Sequence, residues 1–207
     1  MKIDSKFLAT VERLEKLDKE FLVEDVSDEN NGKDGHWSHN NKIKLWSVGR
    51  ATGELLRETV LIKKPQVVLE LGTSAGYSSI WIASALPEGG KLFTVEISPQ
   101  KIEMAQQSFA EAGLTESIVQ IKGNILDVLE SWDKMVDMVF IDADKHEYLE
   151  YLRKIEPHLN HGAVIIADNM TNFAEYVNDY REYLSNNKDY SNEFLEIEDG
   201  LLISTYK

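Results

Sequence analysis

The stretch VVLELGTSAGYSSIWIASAL, at residues 67–86, decides the fold. Residues 67–69 form a short apolar run that predicts a strand buried on both faces. Gly72 and Gly76 then bracket a tight turn, and an amphipathic run typical of a helix follows. Glycines let the backbone approach a ligand closely, and a helix N-terminus offers free N–H groups. The stretch therefore predicts the first strand–turn–helix unit of a nucleotide-binding α/β fold.

The first predicted strand ends in Glu70, which gives the pattern E-x-G-x-x-x-G in place of the dinucleotide pattern G-x-G-x-x-G. A carboxylate at this point would repel a pyrophosphate, but it can accept hydrogen bonds from an ammonium group. S-adenosylmethionine carries an ammonium group, so the pattern favours this cofactor over NAD. The alternative is an ordinary tight turn between a strand and a helix.

The composition of the chain excludes several classes of site. Its 207 residues include no cysteine, which excludes disulfides, thiolate metal ligands and a cysteine nucleophile. The net charge of −14 argues against nucleic acid and anionic membranes as partners. No apolar run approaches the roughly 20 residues of a membrane helix, and residues 1–6 show no apolar signal core. We expect one domain over residues 1–207, a cytoplasmic location and no membrane partner; the sequence leaves a homodimer open.

The apolar spacing predicts an α/β order along the chain. Residues 1–62 are expected to hold two helices, at 4–22 and 42–62, and a polar, mobile substrate lid at 24–40. Residues 63–207 are expected to hold a parallel sheet with helices on both faces and an antiparallel hairpin at its end, turning at Asp199–Gly200. The predicted strands are 67–70, 92–96, 118–122, 136–141, 163–167, 193–198 and 201–206, and the predicted helices of this part are 77–86, 99–112, 147–156 and 173–185.

Two further strand ends carry candidate cofactor residues. Glu96 ends the second predicted strand, 20 positions beyond Gly76, where nucleotide-binding folds place an acidic residue that accepts hydrogen bonds from ribose hydroxyls. Gly123 and Asn124 end the third strand, where a carboxamide suits an adenine edge. A simple turn containing Asn124 is the alternative.

The fourth and fifth strands end in acidic clusters. Asp142 follows the fourth strand, and Asp168 and Asn169 follow the fifth. Because ligands bind at the carboxyl ends of parallel strands and neighbouring strands lie ~5 Å apart, these side chains are expected to converge. Two carboxylates and a carboxamide oxygen suit Mg²⁺, Mn²⁺ or Ca²⁺. The alternative is a set of helix caps.

Lys145 lies three residues after Asp142. A divalent cation and a partly dry cleft would disfavour its ammonium form, so Lys145 is a candidate general base. The alternative is an exposed lysine at a helix start. In the polar segment before the second helix, Trp37 and His39 are candidate contacts to the substrate, although neighbouring loop histidines often have no special role.

In their order and spacing, five motifs of residues 42–207 resemble those of the cation-dependent class I O-methyltransferases, the family of catechol and caffeoyl-CoA O-methyltransferases. The motifs are LELGTSAGYSS, FTVEIS, FIDADKHEYLEYL, VIIADN and EDGLLIS. The resemblance implies a Rossmann-like, mostly parallel seven-stranded sheet with an antiparallel C-terminal hairpin. It also implies that Lys145 is catalytic, that Asp142, Asp168 and Asn169 bind the metal, and that S-adenosylmethionine contacts Val48, Glu70, Gly72, Ser74, Tyr77, Ser78, Glu96, Ile97, Asn124, Ile125 and Asp142.

The acceptor is the part of the function that the resemblance leaves open. Residues 170–173 read MTNF where many family members have a stretch with Trp and Gly, and residues 36–46 do not match the substrate segments of the catechol or caffeoyl enzymes. We expect a small catechol-like or vicinal-diol acceptor. A hydroxyl of a modified tRNA nucleotide is the alternative; a cofactor-binding protein without activity and an NAD-dependent oxidoreductase fit the motifs less well.

Overall fold

The sheet has the strand order expected of a doubly wound α/β fold. The computed structural model describes residues 4–24 and 44–207, and for residues 21–24 only the backbone. In this part of the chain, seven strands follow the order β3-β2-β1-β4-β5-β7-β6. They are β1 (Val67–Leu71), β2 (Lys91–Glu96), β3 (Ile118–Lys122), β4 (Val136–Ile141), β5 (Leu159–Ala167), β6 (Tyr190–Leu195) and β7 (Leu201–Tyr206).

The direction of the strands confirms the predicted fold. Strands β1 to β5 run parallel, whereas β7 pairs antiparallel with β5 and β6 antiparallel with β7. The chain order reverses between β1 and β4, and open α/β sheets bind ligands at such a switch point. The α-helices of the described residues are α1 (Ser5–Glu24), α2 (Arg50–Lys63), α3 (Tyr77–Ala83), α4 (Pro99–Glu111), α5 (Ile125–Glu130), α6 (Tyr148–Ile155) and α7 (Asn178–Asn186).

Each face of the sheet packs against its own set of helices. Successive side chains of a strand point to opposite faces, so Val68 joins the core beneath α1 to α4 and Leu69 joins the core beneath α5 to α7. Both side chains are fully buried. This explains why the central strands read as continuous apolar runs in the sequence. Within the described ranges, no helix combines the length and the apolar character needed to cross a membrane.

The predicted helix at 42–62 is wrong at its start. Of its described residues, 44–49 are not helical. Trp46 has a φ of 52°, which an α-helix does not accommodate, and Gly49 is extended. The helix begins only at Arg50. Its end follows the sequence signals, since Lys64 takes the left-handed conformation before Pro65.

Other bounds also differ from the prediction: β5 begins at Leu159 rather than at residue 163, β6 begins at Tyr190 rather than at 193, and α3 ends at Ala83 rather than at 86. Helix α7 begins at Asn178 rather than at residue 173, after a series of turns. Strand β6 ends at Leu195 rather than at 198, because Glu198 and Gly200 both have positive φ values and form a wider turn. Helix α5 was not predicted; the side chain of Asn124 caps it by accepting a hydrogen bond from Leu126 N at 2.8 Å. Residues 25–40 of the predicted lid, with Trp37 and His39, lie outside the described residues.

Candidate active site

The carboxyl ends of the central strands lie level with one another. Leu71 of β1 is in register with Ile141 of β4, and Ile141 with Ala167 of β5. The next residues continue the pairing, since Asp142 N donates to Leu71 O and Asp168 N donates to Ile141 O, both at 3.0 Å. Two of the three predicted metal ligands therefore leave adjacent strands at the same edge.

The turn after β1 requires its two glycines. Gly72 has a φ of 101°, and a Cβ atom there would lie 2.1 Å from Asp142 O. Gly76 has a φ of 87°, and its Cβ would lie 2.6 Å from a ring carbon of Phe109. A larger residue would be strained and would clash at either position. The turn can therefore pass close to β4 and leave space above the sheet.

That space is a cavity of about 580 Å³ at the switch point of the sheet. Residues 44–48, the turn after β1 and the ends of β2, β3 and β4 form its walls. Every residue predicted to contact the cofactor lines it except Glu70. The lining members of the predicted set are Val48, Gly72, Ser74, Tyr77, Ser78, Glu96, Ile97, Asn124, Ile125 and Asp142.

Glu96 is held in the cavity wall by the backbone. One oxygen accepts a hydrogen bond from Ser74 N at 2.8 Å, and the other accepts from Ile97 N at 3.0 Å and Ser98 N at 2.9 Å. A carboxylate offers about four acceptor positions, so capacity remains for a hydroxyl in the cavity. The three bonds fix the orientation of the carboxylate before any ligand arrives.

Glu70 lies behind the cavity rather than in its wall. Its side chain is fully buried and accepts hydrogen bonds from the hydroxyls of Ser79 and Thr94, the latter at 2.6 Å. Burial raises the pKa of Glu70 to about 7, against the opposing effect of nearby hydroxyls. The contact of Glu70 with the cofactor's ammonium group stays a prediction.

Lys145 is buried beside Asp142. Its side chain is 1% exposed, and its Nζ donates to Asp142 Oδ1 at 2.8 Å and to Ala143 O at 2.9 Å. Nζ also lies 5.3 Å from the ring of Tyr148 and 5.9 Å from that of Phe173. The alternative of an exposed lysine at a helix start is wrong, because the lysine points inward between β4 and the segment after β5.

Asp168 is a buried carboxylate with one oxygen that has no hydrogen-bond partner. Burial and the neighbouring Asp142 both raise its pKa, and its Oδ1 is buried with no hydrogen-bond partner. Asn169 has a φ of 65°, and its amide nitrogen donates to Asn172 at 3.3 Å, which leaves the amide oxygen available as a ligand. Among the described residues no three His, Cys, Asp or Glu side chains form a metal cluster. The two carboxylates and one carboxamide nevertheless fit a hard divalent cation, which would partner the unbonded Asp168 oxygen.

Residues 36–195 match the model of a protein family described as O-methyltransferase. The chain belongs to this O-methyltransferase family.

Individual members of the family show the same relationship. The chain is 39% identical over 128 residues to a catechol O-methyltransferase of Niastella koreensis, covering 60% of this chain and 58% of that protein. It is 33% identical over 174 residues to catechol O-methyltransferase B of Danio rerio, covering 77% and 65%. The match thus spans less than two thirds of each relative. The O-methyltransferase TomG of Streptomyces achromogenes, solved with S-adenosylmethionine, has a TM-score of 0.77 at 25% identity over 100% of this chain and 91% of TomG.

In the present chain, a contact between α1 and the cavity wall was not revealed by the sequence. Glu15 of α1 accepts a hydrogen bond from Tyr77 OH at 2.7 Å and from Arg50 Nη2 at 2.9 Å. Tyr77 lines the cavity, so α1 helps to fix one of its walls. No local pattern could indicate this contact, because Glu15 lies far from both partners in the sequence.

A second unpredicted residue, Glu198, joins α2 to the terminal hairpin. Gly49 cannot cap α2 with a side chain, and Glu198 instead accepts hydrogen bonds from Ala51 N at 3.1 Å and Thr52 Oγ1 at 2.7 Å. The same turn binds the end of β5, since Met170 N donates to Gly200 O at 3.0 Å. The hairpin turn thereby connects the start of α2 with the segment that carries Asp168 and Asn169.

Proposed function

We propose that this chain transfers the methyl group of S-adenosylmethionine to a hydroxyl oxygen of a small aromatic acceptor with two adjacent hydroxyls, with the help of a divalent cation. The position of Asp142 carries the proposal. Asp142 lines the 580 Å³ cavity and also accepts a hydrogen bond from Lys145. We call Asp142, Lys145 and Asp168 the charged group. A methyl donor in the cavity and an acceptor beside Lys145 would therefore share one wall.

The cavity residues account for binding of the donor. Glu96 would accept a hydrogen bond from the ribose, and Asn124 and Ile125 would lie beside the adenine. The glycine turn at Gly72 lets the donor approach the edge of the sheet. The complex of TomG with S-adenosylmethionine supports this cofactor, since TomG shares the fold at 25% identity.

The charged group accounts for activation of the acceptor. When bound, S-adenosylmethionine supplies the methyl group and a divalent cation lowers the pKa of a hydroxyl that it holds. Asp142, Asp168 and Asn169 would hold the cation. Lys145 would take the hydroxyl proton on Nζ and later release it to water. The acceptor oxygen would then bond to the methyl carbon as the carbon–sulfur bond breaks, with its electron pair staying on the sulfur of S-adenosylhomocysteine. The chain contributes alignment of two bound reactants.

Aromatic side chains beside Lys145 favour an aromatic acceptor. The ring centroids of His146 and Tyr176 lie 4.7 Å apart, and those of Phe173 and Tyr176 lie 6.1 Å apart. Phe173 is in turn within 5.9 Å of Lys145 Nζ. Such a group of rings offers edge and face contacts to an aromatic ligand. The names of the relatives, catechol O-methyltransferases, point to the same acceptor class.

The test is methyl transfer from isotope-labelled S-adenosylmethionine to catechol, to resorcinol and to bulk tRNA. Resorcinol is the matched control, because it has the same two hydroxyls in positions that cannot chelate one cation. We expect labelled catechol only, abolition of labelling by EDTA, and recovery with Mg²⁺ or Mn²⁺. Full activity after exhaustive chelation would remove the cation from the mechanism. Labelled tRNA without labelled catechol would overturn the acceptor, although the net charge of −14 argues against that outcome.

A further inference from the structure

The cofactor cavity contains a lysine that the family motifs do not use. Among the described residues that line the cavity, the lysine and arginine side chains are those of Lys44 and Lys101. Lys44 Nζ lies 5.0 Å from the centroid of the Trp46 ring, so its charge already has a neighbour within the same segment. Lys101 lies in the first turn of α4, immediately after the strand end that carries Glu96.

The ammonium group of Lys101 makes no hydrogen bond with the part of the chain that the structure describes. Its backbone N–H, in contrast, donates to Ser98 Oγ at 3.5 Å. Glu96, Asp142 and Asp18 attract the charge without contacting it, and burial lowers the pKa of Lys101. A half-buried ammonium without a hydrogen-bond partner is unfavourable. An anionic ligand in the cavity would supply the missing partner.

The charges of the proposed cofactor correspond to this arrangement. S-adenosylmethionine carries an ammonium, a sulfonium and ribose hydroxyls, all of which suit the carboxylates in the cavity wall, Glu96 and Asp142 among them. It also carries one carboxylate, which requires hydrogen-bond donors. The hydroxyl of Ser74 is already donated to Leu45 O. Lys101 is the charged donor that remains.

We propose that Lys101 binds the α-carboxylate of the amino-acid part of the cofactor. This inference rests on the proposed function, because it requires that the cavity hold S-adenosylmethionine. It assigns to Lys101 direct contact with the ligand rather than support of another residue. The contact is present with both S-adenosylmethionine and S-adenosylhomocysteine, since both keep the carboxylate. It is absent with 5′-methylthioadenosine, which has the same nucleoside and sulfur but no amino-acid group.

Calorimetry with the last two ligands tests the contact without any turnover. In Lys101→Met, S-adenosylhomocysteine is expected to bind about 10- to 100-fold more weakly, as is typical when a hydrogen bond to a charged group is lost. Binding of 5′-methylthioadenosine is expected to be unchanged. Lys122→Met is the matched control, because Lys122 is exposed, ends the neighbouring strand β3 and does not line the cavity; it should bind both ligands as the wild type does.

The other outcomes separate the two proposals. If the wild type binds neither ligand, the proposed function and this inference both fail. If the wild type binds both and Lys101→Met retains its affinity for S-adenosylhomocysteine, the inference alone fails. An equal loss for both ligands would place Lys101 against the nucleoside or in a supporting role, and would also overturn it. Lys101→Gln repeats the measurement with a side chain that keeps polarity, and thermal unfolding of each variant verifies the fold.

Discussion

The carboxyl edge of the sheet has two sides, which differ in the exposure and the hydrogen bonding of their polar groups. On the cofactor side, above β1, β2 and β3, an open cavity is shaped by glycines and by backbone N–H groups that hold Glu96. On the proposed acceptor side, above β4 and β5, Lys145 and Asp168 are buried. Lys145 is 1% exposed and Asp168 4%, and an oxygen of Asp168 has no partner. On the first side Glu96 is already held by three backbone N–H groups, whereas on the second side a buried Asp168 oxygen has no hydrogen-bond partner.

This difference predicts that substitutions on one side change the affinity for the cofactor and those on the other change the rate of methyl transfer. Under the proposed function, the backbone groups and Glu96 would only hold the cofactor, so substitutions there should change affinity. Under the proposed function, Lys145, Asp142 and Asp168 would act on a proton and a developing oxyanion, so substitutions there should change the rate. A substitution that changed affinity and rate to the same degree would contradict this division between the two sides.

The largest effect is expected for Lys145→Ala. Loss of a general base typically lowers the rate by 10²- to 10⁴-fold, while affinity for the cofactor, measured by calorimetry with S-adenosylhomocysteine, should stay within the wild-type range. Lys145→Arg should not restore the rate, because guanidinium stays protonated. Steady-state methyl transfer to catechol measures the first effect, and thermal unfolding of both variants verifies that the buried site still folds.

Two results would contradict this role. Near-normal turnover of Lys145→Ala would reduce the buried lysine to a partner that neutralises Asp142. Recovery in Lys145→Arg would indicate that a positive charge, rather than a proton acceptor, is what the acceptor side needs.

A smaller effect, on affinity, is expected for Glu96→Ala. The variant would lose the proposed hydrogen bond to the ribose and leaves Ser74 N without its partner. Loss of one hydrogen-bonded charge typically costs ~1.5–3 kcal/mol, or about 10- to 100-fold in the dissociation constant for S-adenosylmethionine. Asp168→Asn is the control from the acceptor side and should bind the cofactor normally. Unchanged affinity in Glu96→Ala would refute the assignment of Glu96 to the ribose.

The sequence predicted most of what depends on local pattern. The apolar runs located the central strands, and the glycines at 72 and 76 located the turn because each permits a conformation and a close approach that other residues do not. The position of Asp142 and Asp168 at the same edge of the sheet followed from the parallel register of β4 and β5. These features need only a few neighbouring residues, so one sequence suffices to indicate them.

What the sequence could not predict depends on distant partners. The position of Glu70 was clear, but its direction is set by Ser79 and Thr94, which approach only in the folded chain. The first turn of α2 lacks a local side-chain cap, and the residue that supplies one, Glu198, lies 147 positions after Ala51. The burial of Lys145 likewise requires the segment after β5. The contacts predicted for Trp37 and His39 stay predictions.

The smallest effect is expected at Glu198, which joins the two sides but belongs to neither. Glu198→Ala removes the cap of α2, and loss of such a cap typically lowers the free energy of unfolding by ~1 kcal/mol. Since its hydrogen-bond partners, Ala51 and Thr52, do not line the cavity, cofactor affinity and turnover should change little. Urea unfolding measures the stability change, with Glu196→Ala as the control, because Glu196 is exposed in the same turn and is not part of the cap.

A second variant at this position separates the cap from the backbone. Glu198 has a φ of 49°, a left-handed conformation that typically costs a residue other than glycine ~1–2 kcal/mol. Glu198→Gly loses the cap but relieves this strain, so it should be nearly as stable as the wild type, whereas Glu198→Ala keeps the strain and shows the full loss. If both variants were equally destabilised, the cap would dominate and the backbone strain would be negligible. If Glu198→Ala lost turnover while keeping its stability, the hairpin turn would act on the position of Asp168 and Asn169, and the two sides of the sheet edge would be coupled rather than separate.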